Sequence, residues 1–348
     1  MSLLSLHYEV DRRAAFLARR DEPVAYDDAM RCWIVTDPNL VLRLLRHRAL
    51  ACEETVSQIA TVGERYGIAF DNLLFAARII PLMNEGDPHV RMRRRMARFL
   101  TDRREPLLAI QSGLVDRHLG KIAAAAEVDL VADIFLPLVR EYFSVLVDAS
   151  ELIPFDQVAI TRMFDRYLSL KTLKKIEQDI GALRATVRRV CRQPVSDGDE
   201  ELFVALLILG RDSLLATLAE SIGATLAGHV GRSLGDVGYP AFPNETGVAI
   251  AERVATETIA FGGVEIAAGE RVRLYLQSLN YSERASVQRL IFGAGAHSCL
   301  GRQLSLDLWP ALTGALRAIP RVIASVEHGY VRNHIFAMPD RVRVRLAS

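Results

Sequence analysis

Residues 292–301, Phe-Gly-Ala-Gly-Ala-His-Ser-Cys-Leu-Gly, place a thiol and an imidazole two positions apart in a glycine-rich frame. As a thiolate, such a cysteine can be a nucleophile, a redox group or a soft metal ligand. The nucleophile reading needs a base. His297 is near Cys299 in sequence, but catalytic Cys–His pairs usually meet from distant segments. The ligand reading accounts for more of the residues. Glycines 293, 295 and 301 let the backbone approach a flat, bulky group without Cβ clashes. Backbone N–H groups in such a loop can point at the sulfur and tune its electron donation. A helix beginning just after Cys299 would set its N-terminal dipole near the charge. The other cysteines, Cys32, Cys52 and Cys191, are far apart and form no Cys-x-x-Cys pair, which argues against a zinc site and against a disulfide framework. Cys32 and Cys52 sit among apolar neighbours and read as core, and Cys191 as an exposed or half-buried helix residue.

The stretch resembles the haem-binding loop of the cytochrome P450 superfamily, Phe-x-x-Gly-x-His/Arg-x-Cys-x-Gly, at every fixed position. The resemblance implies haem b with Cys299 as its axial thiolate. Phe292 would pack beside the haem and the sulfur, Gly293 and Gly301 would belong to the seat, and His297 would face a haem propionate. Residues 31–50 look like the first strand and following helix of soluble bacterial members. Asp87–Leu100 looks like the family's Asp-Pro-Pro-x-His-x-Arg-x-Arg-Arg stretch with one residue missing before the histidine. His89 and Arg93 there share one helix face and can both reach an anionic propionate. Ala251–Val272 is similar to the family's Arg-Val-Ala-x-Glu-Asp hairpin and implies a propionate role for Arg253. Gln288–Gly293 matches the lead-in to the cysteine loop, with Arg289 where the family has histidine.

The family's long central helix carries Ala/Gly-Gly-x-Asp/Glu-Thr, and here Leu-Gly-Arg-Asp-Ser offers Gly210, Asp212 and Ser213. The resemblance implies room for dioxygen and substrate beside Gly210 and a proton relay through Asp212 and Ser213. The plainer reading places Asp212 and Ser213 on the polar side of a helix. Two landmarks depart from the pattern. Pro240 and Pro243 stand about where the Glu-x-x-Arg helix belongs, and proline is poor helix material. The literal match Glu270–Arg273 falls on a strand after a turn and is rejected. The meander before the cysteine loop is shortened as well. Those two pieces normally contact each other, so their joint loss reads as coordinated trimming.

The elements that must position these residues are mostly helical. Helix-period patterns run over 38–50, 92–100, 107–126, 128–150, 155–170, 175–192, 199–230 and 304–319. Strand signals cluster late: the β-branched alternation of 253–276, broken by Gly262-Gly263 as a hairpin turn, and the strict alternation of 341–347. A short strand is also expected at 31–37. The expected fold is mainly α with a small β portion, cytochrome P450-like, in a single domain over residues 1–348.

With 43 basic and 42 acidic residues, the chain offers no bulk electrostatic case for nucleic acid. The N-terminus lacks the apolar region of a signal peptide, and no run of about 18 apolar residues stands out, so a cytoplasmic protein without a membrane is expected. Arg91, Arg94, Arg95 and Arg98 read as a solvated helix face or as a docking face for a ferredoxin-type donor. The expected function is oxidation of a small or medium organic molecule, as in secondary metabolite biosynthesis, possible atypical outcomes on the same iron included. Residues 55–84 and the late 332–342 are expected to wall the substrate pocket. The alternative is a degenerate, haem-free relative that activates a partner enzyme.

Overall fold

The computed structural model describes residues 22–154, 160–165, 168–191, 197–276, 292–331 and 335–347. Strands β1 (Val24–Asp27) and β2 (Cys32–Val35) form a hairpin. Helix α1 (Pro38–Leu44) starts where the Asp37 side chain accepts the Leu40 N–H at 2.8 Å, with proline in the first turn. The helical pattern of 38–50 stops short at Leu44, because Leu50–Ala51 (β3) pairs with a later strand. Helix α2 (Thr55–Tyr66) is capped by Glu54 and ends at Gly67, in the left-handed conformation at φ +61°. Helix α3 spans Asp71–Ile79.

The two helices expected at 92–100 and 107–126 are one, α4 (Gly86–Ala124), with Pro106 inside it. Leu100, Leu107 and Leu114 keep one buried row across the proline. Arg103 also donates through Nε and Nη2 to the carbonyls of Leu146 and Val145 at 3.0 and 2.8 Å. That contact caps α5 (Leu136–Leu146), which follows β4 (Glu127–Asp129) and a π-helical turn at Leu130–Phe135. Tertiary contact thus outweighs the lost proline N–H. Of the pattern at 155–170, the turn Ile160–Phe164 is described as a short 3₁₀ helix.

Helix α6 (Leu170–Val190) and the long α7 (Asp197–Ala227) complete the central bundle. Helix α7 is apolar enough to cross a membrane by composition, yet 78 % of its most apolar stretch is buried inside the molecule, as in a core helix. Strands β5 (Ile250–Ala255), β6 (Ile259–Phe261), β7 (Val264–Ile266) and β8 (Arg271–Tyr275) follow. Gly262 and Gly263, at φ +62° and +84°, make the β6–β7 turn that the Gly-Gly pair predicts. Helix α8 (Arg302–Arg317) leads to β9 (Val322–Val331) and β10 (Met338–Ala347). The first sheet has the order β1-β2-β8-β5-β3 and the second β4-β10-β9. The main core lies where α4, α5, α7 and α8 meet, and a second core lies under the first sheet, against α1 and Phe292.

Candidate functional site

The cysteine loop is built by its own backbone. Gly293 and Gly295 adopt φ +75° and +73°, and the Cys299 N–H closes on the Phe292 carbonyl at 2.8 Å. Glycine is required twice over at 295, since a Cβ there would lie 2.6 Å from the Leu45 carbonyl oxygen. Gly301 has an ordinary φ of −78°, and a Cβ there would meet only the Cys299 sulfur, at 3.9 Å. The backbone N–H groups of Gly301 and Arg302 bond to that sulfur at the start of α8. Cys299 opens onto a cavity of about 540 Å³. The enclosing protein withdraws bulk water from the sulfur, so burial pushes the thiol up, against the pull of those two N–H groups and the charges of Arg93 and Arg302.

Two arginines and two imidazoles gather around the same cavity from separate elements. Arg93 of α4 lines it and donates to the Ser298 carbonyl at 2.8 Å. Burial lowers its pKa, against the attraction of Cys299. Arg253 of β5 lines it from the first sheet, 8 % exposed. His297 lines it too, and burial and then the Arg253 charge push its pKa down to about 4. His89 packs against His297, ring centroids 4.2 Å apart and planes tilted by 43°. Burial and then Arg93 lower His89 as well. His89 Nε2 is buried without a hydrogen-bond partner among the described residues. Arg289 lies outside the described residues.

The opposite wall is α7. Leu206, Leu209, Gly210, Ser213, Leu214 and Thr217 face the cavity at helical spacing. The space beside Gly210 is taken: a Cβ there would lie 2.4 Å from Cζ of Phe143 on α5, so this glycine permits close helix packing. Ser213 Oγ donates back to the Leu209 carbonyl. Asp212 does not join its neighbour. It is 1 % exposed, paired with Arg211, and faces a separate pocket of about 20 Å³ with Thr161, Leu207 and Ile208. The contiguous acid–hydroxyl pair expected at the cavity is therefore split across the helix, because adjacent helical residues point about 100° apart. Nor is Asp212 on a polar face, since its surroundings are buried.

Of residues 55–84, Thr55, Gln58, Pro81, Leu82 and Met83 reach the cavity, and of 332–342, Ile335 and Phe336 do. Cys32 is core as expected. Cys52 is not: it follows the two-residue β3, half-buried, and lines the cavity with Sγ 3.5 Å from His297 Nε2. Its apolar neighbours in sequence gave no sign of this, since β3 ends too early to carry it into the core.

No helix forms between Gly238 and Val248, where the two prolines lie. Instead the Pro240 carbonyl accepts the Trp309 Nε1–H of α8 at 2.8 Å. Arg104 of α4 holds Asp307 of α8 through two bonds, at 2.7 and 3.0 Å. Glu270 and Arg273 turn to other partners, Trp33 and Glu252.

No protein-family model matches the chain. It is 24 % identical over 368 residues to cytochrome P450-SU2 of Streptomyces griseolus, covering 89 % of this chain and 87 % of that protein. It is 27 % identical over 349 residues to nocardicin C N-oxygenase of Nocardia uniformis subsp. tsuyamanensis, covering 83 % and 82 %. The structure of P450BioI in complex with a hexadec-9Z-enoic acid ligated acyl carrier protein shares its fold, with TM-score 0.77 over 97 % of this chain and 99 % of that one at 17 % identity. In sequence and in fold the chain is similar to members of the cytochrome P450 superfamily.

The residues around the cavity fit a haem. The cavity has a thiol on one wall with two N–H donors aimed at its sulfur. Arg93, Arg253 and His297 stand at its edge. The partnerless His89 Nε2 beside them is a buried polar atom awaiting a bond. Cys299 would hold the iron, Arg93 and Arg253 would pair with the two carboxylates, and His297 could hydrogen-bond to one of them as a neutral imidazole.

Proposed function

We propose that this protein is a haem-thiolate monooxygenase acting on a small or medium-sized organic molecule with an apolar body, with electrons from a ferredoxin-type donor. The observation that carries the reading is the single cavity face shared by Cys299, Arg93, Arg253 and His297, with Ser213 across from them. When bound through the thiolate, haem supplies dioxygen activation, because the sulfur pushes electron density toward O–O cleavage.

The chain's own residues set the rest. Met83, Leu100, Phe143, Met163, Leu214 and Phe336 give an apolar enclosure that excludes water and favours an apolar substrate body. Ser213 Oγ spends its proton on the Leu209 carbonyl and keeps its lone pairs for a water in the cavity. Thr217, one turn further along α7, offers a second hydroxyl on the same wall. Asp212 lies behind the helix, beside a pocket with room for about one water. Any proton path from that pocket to Ser213 must pass around α7.

Exposed Arg91 and Arg94 lie on α4 beside Arg93, which touches the residue next to Cys299, and this supports donor docking on that side. The name of the Nocardia relative supports a substrate from secondary metabolism. A haem-free auxiliary role would leave the N–H groups at Sγ and the two arginines without an anionic partner, so it is not favoured.

The test is spectroscopic. The reduced, carbon-monoxide-treated protein is expected to absorb at the wavelength typical of thiolate-bound haem, and Cys299→Ala to lose that band. Well-folded protein reconstituted with haem and showing no haem absorbance would overturn the reading.

A further inference from the structure

We propose that Cys52, Glu85 and His297 form a binding site for zinc or a similar borderline-soft divalent cation at the edge of the cavity. Their ligand atoms all lie within 4.8 Å of one another. Cys52 Sγ is 3.5 Å from His297 Nε2, and the same nitrogen is 3.1 Å from Glu85 Oε1. A tetrahedral zinc with Zn–S near 2.3 Å, Zn–N near 2.05 Å and Zn–O near 2.0 Å requires S···N and N···O edges of about 3.6 and 3.3 Å. The measured S···N and N···O distances match those edges; the sulfur also lies 3.9 Å from Nδ1, so a turn of the imidazole would be needed to aim Nε2 at an ion shared by all three.

The site is assembled from three segments and held in place by neighbours. Cys52 follows β3, Glu85 precedes α4, and His297 sits in the 3₁₀ turn before Cys299. Glu85 Oε1 also accepts the Cys52 N–H at 2.7 Å, which fixes the carboxylate against the thiol's own backbone. His89 packs against the His297 ring at a tilt of 43°, centroids 4.2 Å apart. Thiolate with imidazole selects zinc-like ions over magnesium or calcium, which take oxygen ligands. Binding converts the Cys52 thiol to a thiolate and releases one proton to solvent, with no change of oxidation state. The fourth position is open to water. The absence of a Cys-x-x-Cys pair excludes only the cysteine-rich kind of zinc site. This one draws single ligands from segments that the sequence keeps apart.

The bound ion would tie the cysteine loop to β3 and to the start of α4. The inference shares His297 with the haem reading but does not depend on it. Haem-loaded protein, in which Cys299 is engaged, is equilibrated with zinc chloride and dialysed, and zinc per chain is measured by mass spectrometry. About one equivalent is expected, with a zinc-edge absorption spectrum showing one sulfur near 2.3 Å and nitrogen or oxygen neighbours near 2.0 Å. Cys52→Ser and Glu85→Gln are expected to bind zinc at least about tenfold more weakly, while Cys32→Ser and Cys191→Ser match the parent. Zinc that fails to bind, binds without sulfur, or binds Cys52→Ser as tightly as the parent overturns the proposal. If no haem-loaded protein can be prepared, the haem reading has failed. The same titration on haem-free Cys299→Ala then decides the zinc site by itself.

Discussion

The cavity has two walls that carry chemistry, and they are specified differently. On the cysteine side, ten contiguous residues make their own geometry: two left-handed glycines, a closing Cys299–Phe292 bond and a helix start aimed at the sulfur. On the α7 side, nothing local decides which residue does what. The helix is regular, and each side chain's direction follows from rotation about its axis. Ser213 faces the cavity and Asp212 faces away, although they are neighbours. A loop motif therefore carries its function in its spelling. A helix motif carries it only once the helix's orientation against α5 and the cavity is known.

The contrast can be broken most sharply within the loop itself. Gly295→Ala forces a side chain into left-handed backbone and against the Leu45 carbonyl, and about 3–5 kcal/mol of destabilisation is expected. Gly301→Ala meets only the sulfur, at 3.9 Å, from ordinary backbone, so it is expected to cost far less. Denaturant unfolding and haem content measure both. Equal losses at the two positions would mean that the loop is not held by its own backbone.

On the helix wall the largest expected effect belongs to Asp212, and it concerns stability. Asp212→Ala strips an anion from beside the buried Arg211, which is expected to cost about 3 kcal/mol. Ser213→Ala removes an exchangeable proton from the cavity wall. It is expected to lower product formed per electron pair consumed while leaving the melting temperature nearly unchanged. Reversed behaviour of the two variants would place Asp212, not Ser213, at the cavity. Next in size, Gly210→Ala drives a methyl into the Phe143 ring, for about 2 kcal/mol. Phe143→Leu in the same chain is expected to recover part of that loss. A Gly210→Ala protein as stable as its parent would show that the ring simply moves aside.

These asymmetries explain what could be read in the sequence. The cysteine loop, the β6–β7 hairpin and the helix-rich plan were legible because each rests on local chemistry: glycines in tight turns and periodic leucines. The basic residues were legible one by one, as Arg93, Arg253 and His297 attach to recognisable segments. Three things were not. The continuity of α4 across Pro106 depends on Arg103 reaching α5. The early end of α1 depends on β3 finding β5. The place of Cys52 beside His297 joins residues 245 positions apart. Each is a long-range contact that overrules a local preference, and no periodicity announces it.

The smallest predicted effect concerns how the seat stays rigid where the prolines forbid a helix. Helix α8 begins at the cysteine loop, so whatever anchors α8 also anchors the sulfur. Two contacts do so from outside: Arg104 on Asp307, and Trp309 on the Pro240 carbonyl. Trp309 is 1 % exposed, and its Nε1–H is held in place by the surrounding core. Trp309→Phe keeps most of the apolar volume but leaves that carbonyl without its donor, for an expected cost of about 1–2 kcal/mol. If the segment around Pro240 acts as a brace, the loss goes beyond overall stability. Haem should leave the variant faster than the parent in a transfer assay to a haem-scavenging protein, and Asp307→Asn should add to that effect, since it loosens the same helix from α4. Unchanged haem release in both variants would assign the rigidity of the seat to the glycine loop alone, and the comparison between the two walls would then hold in its strongest form.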